Sequence, residues 1–529
     1  MSPSATISNW YRNRLGRSEK LCFFSALVTG IFAHLYAMTN FLFNYDSIAA
    51  VPYGLGNTLP SGRWFLYLIE SVQEKIWLPY SIPTFNVLLS IFFIAVSACT
   101  VIRIFEIKEP LHCVLVGGIM VSVPTVTGMI VFVFTAPHYA FAIFLSALSA
   151  YYADREKRGV IPAILTLTLS LGIYQAYLPF TAALMVMLLA RYILVGRLDV
   201  KAAIKKGLYF VAILICGMAL YYLIQKLLMN STGTVMNSYQ GLDSMGVITL
   251  GELSRAVLKI YKTFILLPVR SYHSFNMTPV IRINLAILAA ASFVMLLDSV
   301  CRRKCSVLSF AAVLFLMFIF PLAADGIEIM CSRSDIYVLM IYSMTACFIF
   351  PVVLLEAVGE TEGSPAKTRR SGVLRSILSW AVVITVSFSV LNYCWTSNGN
   401  YYYLQLADKQ TENYLNSVVT VMRSTEGYDE NAPVAFIGDV DDPRFDSWRI
   451  STHFTYEGLF NSNDPRQNIN AYSRIDMLRI LLGYSYQLAT PEQTEAIVRS
   501  EEFKDMSCFP NSGSVRMLDG VLTVKFSGK

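Results

Sequence analysis

Eleven apolar segments dominate this chain, near residues 21–41, 83–102, 111–134, 139–152, 160–173, 178–190, 207–225, 283–297, 306–324, 336–355 and 376–395. About 20 such residues cross a hydrocarbon core of roughly 30 Å. With no water there to satisfy backbone polar groups, each must fold as a helix. The segments at 139–152, 160–173 and 178–190 are short for a crossing. Composition agrees, since 55% of the 529 residues are hydrophobic and only 15% charged, against about 25% charged in a soluble domain. The expectation is a polytopic α-helical membrane protein of about eleven transmembrane helices.

The loops orient it. One side carries the N-terminus, Arg103 and Lys108, "DREKR" at 154–158, the stretch from Arg191 to Lys206, "RRK" at 302–304 and "KTRR" with Arg375. On the other side, the connections at 135–138 and 174–177 hold no Lys or Arg. Basic loops stay cytoplasmic, so the N-terminus is expected inside and, after an odd number of spans, the C-terminus outside. The first apolar run follows Arg12, Arg14, Arg17 and Lys20 but is of full span length, which reads as a retained helix rather than a cleaved signal. The net charge of +6 reflects this topology and not nucleic-acid binding. The ten cysteines fit neither metal-ligand spacing nor a disulfide framework; Cys22, Cys99, Cys113, Cys216 and Cys347 read as small apolar packing residues.

Polar sequence gathers on the outward side. The expected organisation is a cytoplasmic N-terminus (1–20), a membrane domain (21–395) with external loops 42–82 and 226–282, and an extracytoplasmic α/β domain (396–529). In the last, "YYYLQLADKQTENYLNSVVTVMRS" has helical periodicity, "PVAFIG" reads as a buried strand and "VRMLDGVLTVKF" as a hairpin around Asp-Gly. Two amphipathic helices are expected in the loops. In 64–77, Phe65, Leu68, Ile69, Val72 and Ile76 oppose Glu70, Gln73 and Glu74; in 251–267, Leu253, Val257, Ile260 and Phe264 oppose Glu252, Arg255, Lys259 and Lys262. Such helices settle at the headgroup boundary, or pack on the tail domain.

No span core contains Asp, Glu, Lys or Arg, which argues against an ion-coupled carrier. His34, deep in the first span, reads as a packing histidine. Ionisable groups cluster instead at the outer boundary: Asp46, Arg63, Glu70, Glu74, Arg270, His273, Arg282, Asp325, Glu328, Arg333 and Asp335, with His138, Tyr174, Gln175 and Tyr177 at the same level. A carboxylate half-buried there is a stronger base than a solvated one. An arginine offers a paired fork of donors to a phosphate. Together these are the parts needed to move a sugar from a lipid phosphate to an acceptor hydroxyl. Each also has a plainer reading: Asp46 as a helix cap, Arg63 as a headgroup anchor, Arg333 as half of a local ion pair. "GLGNTLPSG" lacks the strand–loop–helix setting of a nucleotide site.

The order of "NYDSIAAVPYGLGNTLPSGRWFLYLIE" after the first span, "APHYAFAIFLSALSAYY" in the fourth and "SLGIYQAYLPFTAALMVMLL" across the fifth and sixth resembles the bacterial glucosyl transferase II family, membrane enzymes of O-antigen glucosylation. The resemblance implies a many-spanned GT-C-like fold with its catalytic acidic residue in the first external loop. It also implies a polyprenyl-phosphate-glucose donor, inversion, an extracytoplasmic polysaccharide acceptor and no nucleotide. A donor synthase and a flippase would serve the same pathway in the bacterial cytoplasmic membrane. Carried onto this chain, Asp46 matches the loop carboxylate as general base, and Gly62, Arg63 and Trp64 match a "GRW" element. The single acid in "YDS" departs from the paired acids expected there. From position rather than resemblance, Arg63, Arg270 and Arg333 are candidate phosphate grips. Tyr45, Trp64, His138, Tyr174, Gln175, His273 and Asp335 are candidate substrate contacts, and Tyr53 and Tyr80 candidate sugar- or lipid-facing aromatics. No cofactor and no structural metal are expected; a divalent ion bridging carboxylates and phosphate stays open. The alternatives are a polyprenyl-lipid or oligosaccharide flippase, a non-enzymatic scaffold, or the same fold acting on another sugar.

Overall fold

The computed structural model describes residues 2–3, 16–43, 45–54, 58–76, 81–237, 248–270, 277–303, 306–333, 336–360, 369–440 and 473–527. The chain divides into two compact units, residues 1–39 with 55–398 and residues 40–54 with 399–529. Residues 40–54, expected in an external loop of the membrane domain, pack instead with the C-terminal residues. The reason is apolar: Phe43 and Ile48 are buried in one core with Leu415, Met422, Met477 and Leu478.

The first unit is helical throughout. Its elements are α1 (Arg17–Thr39), α3 (Trp64–Ile76), α4 (Pro83–Ile104), α5 (Pro110–Ser122), α6 (Pro124–Val131), α7 (Ala136–Asp154), α8 (Val160–Ile173), α9 (Leu178–Val195), α10 (Val200–Thr232), α11 (Leu250–Leu266), α12 (Pro279–Arg303), α13 (Val307–Ala324), α14 (Ile327–Met330), α15 (Ala346–Glu360) and the first part of α16 (Arg369–Ser424); α2 (Tyr45–Tyr53) belongs to the second unit. Among the described residues, nine helical segments are long and apolar enough to cross a membrane, counting α5 with α6 (Pro110–Val131) as one and the 3₁₀ turn before α15 with that helix (Tyr342–Gly359) as another. The sequence-derived runs at 139–152 and 160–173 fold as α7, 19 residues long, and α8, 14 residues long, and neither is among those nine.

Two apolar runs are not single helices. The run 111–134 breaks between α5 and α6, where Pro124 can neither donate to the ladder nor clear the preceding turn. The run from 336 is α-helical only from Ala346; before it lie two short 3₁₀ turns, Val338–Met340 and Tyr342–Thr345. Tertiary hydrogen bonds hold them, with Tyr342 Oη donating to Met120 O at 2.9 Å and Ser343 Oγ donating to Ala324 O. Several polar groups inside the bundle are paired across helices, as an apolar medium favours: Ser146 and Ser170 hydroxyls lie 2.9 Å apart and Thr181 donates to Ser146 O at 3.0 Å. His34 is fully buried with Nε2 2.9 Å from Val121 O, the packing histidine that the sequence suggests. Among the basic-loop residues, Arg191 is fully buried and donates to Glu106 at 3.2 Å, and Arg197 donates to the same carboxylate at 2.9 Å. Hydrogen bonding from Arg197 holds the Glu106 carboxyl below its usual range.

Both loop helices form as expected. Helix α3 leaves Leu68, Val72 and Ile76 exposed, an apolar stripe suited to a lipid boundary. Helix α11 rests on the first unit, where the Tyr261 ring stacks on Phe318 at 4.7 Å and its hydroxyl donates to Phe318 O at 2.8 Å.

The second unit holds a three-stranded sheet of β1 (Val434–Ile437), β2 (Val515–Leu518) and β3 (Val521–Lys525) in the order β1-β3-β2. β1 runs parallel to β3, and β2 and β3 form an antiparallel hairpin with Leu518 opposite Val521. Its turn is the Asp-Gly of the sequence, with φ of 49° at Asp519 and 76° at Gly520, the two positive values a type I′ turn needs. α16 continues into this unit, which also contains α17 (Arg474–Leu482), α18 (Pro491–Arg499) and α19 (Glu501–Lys504). Lys525, 7% exposed, donates its ammonium to Phe503 O at 2.9 Å, Met506 O at 2.8 Å and Lys504 O at 3.3 Å. Lys525→Met keeps the length and orphans these acceptors, so the expected loss is about 2–3 kcal/mol. Thermal proteolysis of the full-length protein, with cuts mapped to 473–527, should show the midpoint falling by several degrees; an unchanged midpoint would remove the ammonium from the account of this fold.

Candidate functional site

The segment 58–63 is a tight turn held from many sides. Within it, Ser61 N and Arg63 N donate to Thr58 O at 3.2 and 3.0 Å, and Gly62 N donates to Leu59 O at 3.0 Å. From outside, Gln225 Nε2 donates to Leu59 O at 2.9 Å. Gln175 Nε2 and Tyr221 Oη each donate to Gly62 O at 2.9 Å. Gly62 has a φ of 75°, and a Cβ there would stand 2.6 Å from Gln175 Nε2 and 2.8 Å from Tyr221 Oη. Only glycine fits, for both conformation and space.

This turn delivers Arg63 to the start of α3. Its guanidinium carbon lies 5.0 Å from the Tyr174 ring centre and 5.8 Å from that of Tyr139, and the two rings stack on each other at 4.5 Å and 14°. A cation over such faces gains about 0.5–2 kcal/mol, more where water is excluded. Tyr174 reaches the stack because the chain leaves α8 in an extended conformation there, φ −155° and ψ 116°, before the 3₁₀ turn Gln175–Tyr177. Burial pushes the Tyr174 hydroxyl well up, with the Arg63 charge pulling the other way, so the ring meets the guanidinium as a neutral phenol. Trp64 is 4% exposed and lies against Gly172, where a Cβ would stand 2.7 Å from Trp64 Cε2. Among the described residues, Trp64 Nε1 and His138 Nδ1 are buried with no hydrogen-bond partner.

Beside the tyrosines runs the segment after α13. Cys331 and Tyr337 of this segment lie near Tyr174, and Glu328 lies near Cys331. Asp325 is fully buried and Glu328 3% exposed. Glu328 pairs with Lys259 of α11 at 3.0 Å, and Arg333 donates to Glu252 at the start of α11 through Nε at 2.8 Å and Nη2 at 3.1 Å. Glu252 also closes a capping box with Thr249. Hydrogen bonding from Arg333 lowers the Glu252 carboxyl to about 2. A depressed carboxylate keeps its pairing at every pH above the ordinary value and loses it only as pH falls toward about 2. The pair is therefore closed at neutral pH, and a phosphate reaching Arg333 would have to displace Glu252.

Of the sequence-derived candidates, Arg63, Trp64, Tyr174 and Gln175 come together in the first unit. Arg270 is exposed just after α11, its N–H bonded to Leu266 O. Asp46 lies in the first turn of α2 in the second unit, half-buried. Tyr45 and Tyr53 are in the same helix, with side chains outside the described residues, as are His273, Asp335 and Tyr80. Tyr139, Tyr221 and Gln225 are missed by sequence reasoning. The signal for the last two is a pair of hydrogen-bonding side chains at i, i+4 within the apolar run 207–225, which share one face of the helix.

A profile of the family described as Glucosyl transferase GtrII matches residues 35–348. The match takes in the Asp46 helix, the 58–63 turn, the tyrosine pair and the acidic segment after α13. No curated protein and no solved structure matches the chain. With more than half of its length matched, and with its own "SGRW" turn and "GIYQAY" break building the arginine–tyrosine cluster, this chain belongs to the glucosyl transferase GtrII family.

Proposed function

We propose that the chain is an inverting glucosyltransferase that moves glucose from a polyprenyl-phosphate donor to an extracytoplasmic polysaccharide. Arg63 bears on the donor phosphate and Asp46 acts as the general base. The acceptor hydroxyl gives its proton to the Asp46 carboxylate while its oxygen attacks the anomeric carbon from the face opposite the phosphate. The bond from that carbon to the phosphate oxygen breaks, and polyprenyl phosphate leaves with the electron pair. Charge grows on the phosphate in the transition state, and a fixed cation there lowers the barrier because it need not reorganise. One observation supports the reading most: Arg63 is held by a glycine turn against two stacked tyrosines, an outlay of geometry that a headgroup anchor does not need. The Asp46 assignment rests on the family resemblance. The alternation of basic and neutral loops supports an orientation with the N-terminus inside and residues 396–529 outside, and the family resemblance implies the bacterial cytoplasmic membrane.

The test uses the purified full-length protein in detergent with polyprenyl-phosphate-[¹⁴C]glucose and a lipid-linked O-polysaccharide. Label should move to the polymer with inverted anomeric configuration and should not move from a nucleotide glucose. A transporter cannot transfer sugar without a membrane, so absence of transfer, or transfer from the nucleotide sugar, overturns the reading.

A further inference from the structure

Gln175 reads from the sequence as a substrate contact, but its hydrogen bonds are spent elsewhere. Its carboxamide is 5% exposed. Nε2 lies 2.9 Å from Gly62 O, 2.8 Å from Tyr221 Oη and 3.4 Å from Ser61 O. Tyr221 Oη in turn donates its own proton to Gly62 O at 2.9 Å. The three groups form a closed triangle of contacts centred on the Gly62 carbonyl. The two side chains come from the break after α8 and from α10, 46 residues apart, and reach 113 and 159 residues back to the same carbonyl. What that carbonyl fixes is the next residue. Its orientation sets the peptide plane from which Arg63 leaves the turn. The guanidinium can sit over Tyr174 and Tyr139 only while that plane is held.

We infer that Gln175 and Tyr221 are positioning residues for Arg63: they act on the donor only through the Gly62 carbonyl. This rests on the reading of Arg63 as the phosphate contact. The chemistry is that of pre-organisation. A long side chain held in one place gives its full interaction to the bound phosphate, and a loosened one gives part of it.

Initial rates of glucose transfer from polyprenyl-phosphate-glucose test this with Tyr221→Phe, Gln175→Leu, Arg63→Ala and the two doubles that combine each with Arg63→Ala. Tyr221→Phe should lower kcat/KM for the donor about five- to tenfold, the scale of one buried hydrogen bond. Gln175→Leu should do the same or more. In the Arg63→Ala background both should add nothing, because the group they orient is gone. Thermal proteolysis of each variant accompanies the rates; Tyr221→Phe keeps the ring and supplies the answer if Gln175→Leu does not fold. Full additivity in the doubles would mean that Gln175 or Tyr221 meets the substrate directly, and would overturn the inference. So would an unchanged kcat/KM in Tyr221→Phe when Arg63→Ala lowers it, an outcome that leaves the assignment of Arg63 standing. An unchanged kcat/KM in Arg63→Ala itself sinks that assignment first and this inference with it.

Discussion

Arg63→Ala should lower kcat/KM for the lipid donor about 10²–10³-fold, the range seen when one fixed donor to a developing oxyanion is removed. The residue is set up for that role by three layers. The Gly62 turn aims it, the Tyr174 and Tyr139 faces hold its plane at 5.0 and 5.8 Å, and Trp64 closes the turn against Gly172. Arg63→Lys separates charge from shape. It retains the cation but loses the planar fork and most of the stacking, so it should recover only about a tenth of the lost efficiency. Tyr174→Phe keeps the face and should stay within about threefold of the parent. The measurement is initial rate against polyprenyl-phosphate-glucose concentration for all three. Efficiency within twofold of the parent in Arg63→Ala would return the residue to the status of a headgroup anchor.

Elements governed by local pattern are legible in the amino-acid sequence. Segments near 20 apolar residues become helices because the bilayer permits little else, and α3 and α11 follow their 3.6-residue periodicity. The Asp519-Gly520 turn forms where two left-handed residues are required. What stays hidden is set by partners distant in sequence. Nothing in "SGRW" names Gln175 or Tyr221 as the groups that grip its glycine. Nothing in "CSRSD" announces that Arg333 closes on Glu252, 81 residues earlier. The run from 336 looks helical, yet Tyr342 and Ser343 spend their hydroxyls on the ends of other helices and hold it in 3₁₀ turns. Asp408 shows the same limit. In "YYYLQLADKQTENYL" it looks like surface, but it shares a helical face with Leu404, Thr411 and Leu415. There it is 3% exposed and accepts the Phe43 N–H at 3.1 Å. That contact helps explain why 40–54 joins the C-terminal unit, and it could not be read from either segment alone.

Asp46→Asn is the other change expected to have a large effect, a fall in kcat of about 10²–10⁴-fold, the span attributed to a general base, with donor KM little altered. The substitution is clean because of where the residue sits. Asp46 is in the first turn of α2, whose hold on the second unit comes from Ile48, fully buried beside Met477 and Leu415, and from the Phe43 N–H on Asp408. Asparagine keeps the size and loses the charge, which at a helix N-terminus contributes about 0.3–1 kcal/mol. A protease midpoint within a few degrees of the parent should accompany the lost turnover. Asp46→Glu moves the carboxylate by one methylene and should keep some activity, because the base is still present but misplaced. If Asp46→Asn retained more than about a tenth of the parent kcat, the proton would have to leave by another route. The first unit then offers two buried acids after α13. Glu328, which pairs with Lys259 at 3.0 Å, and Asp325 would be the next carboxylates to replace.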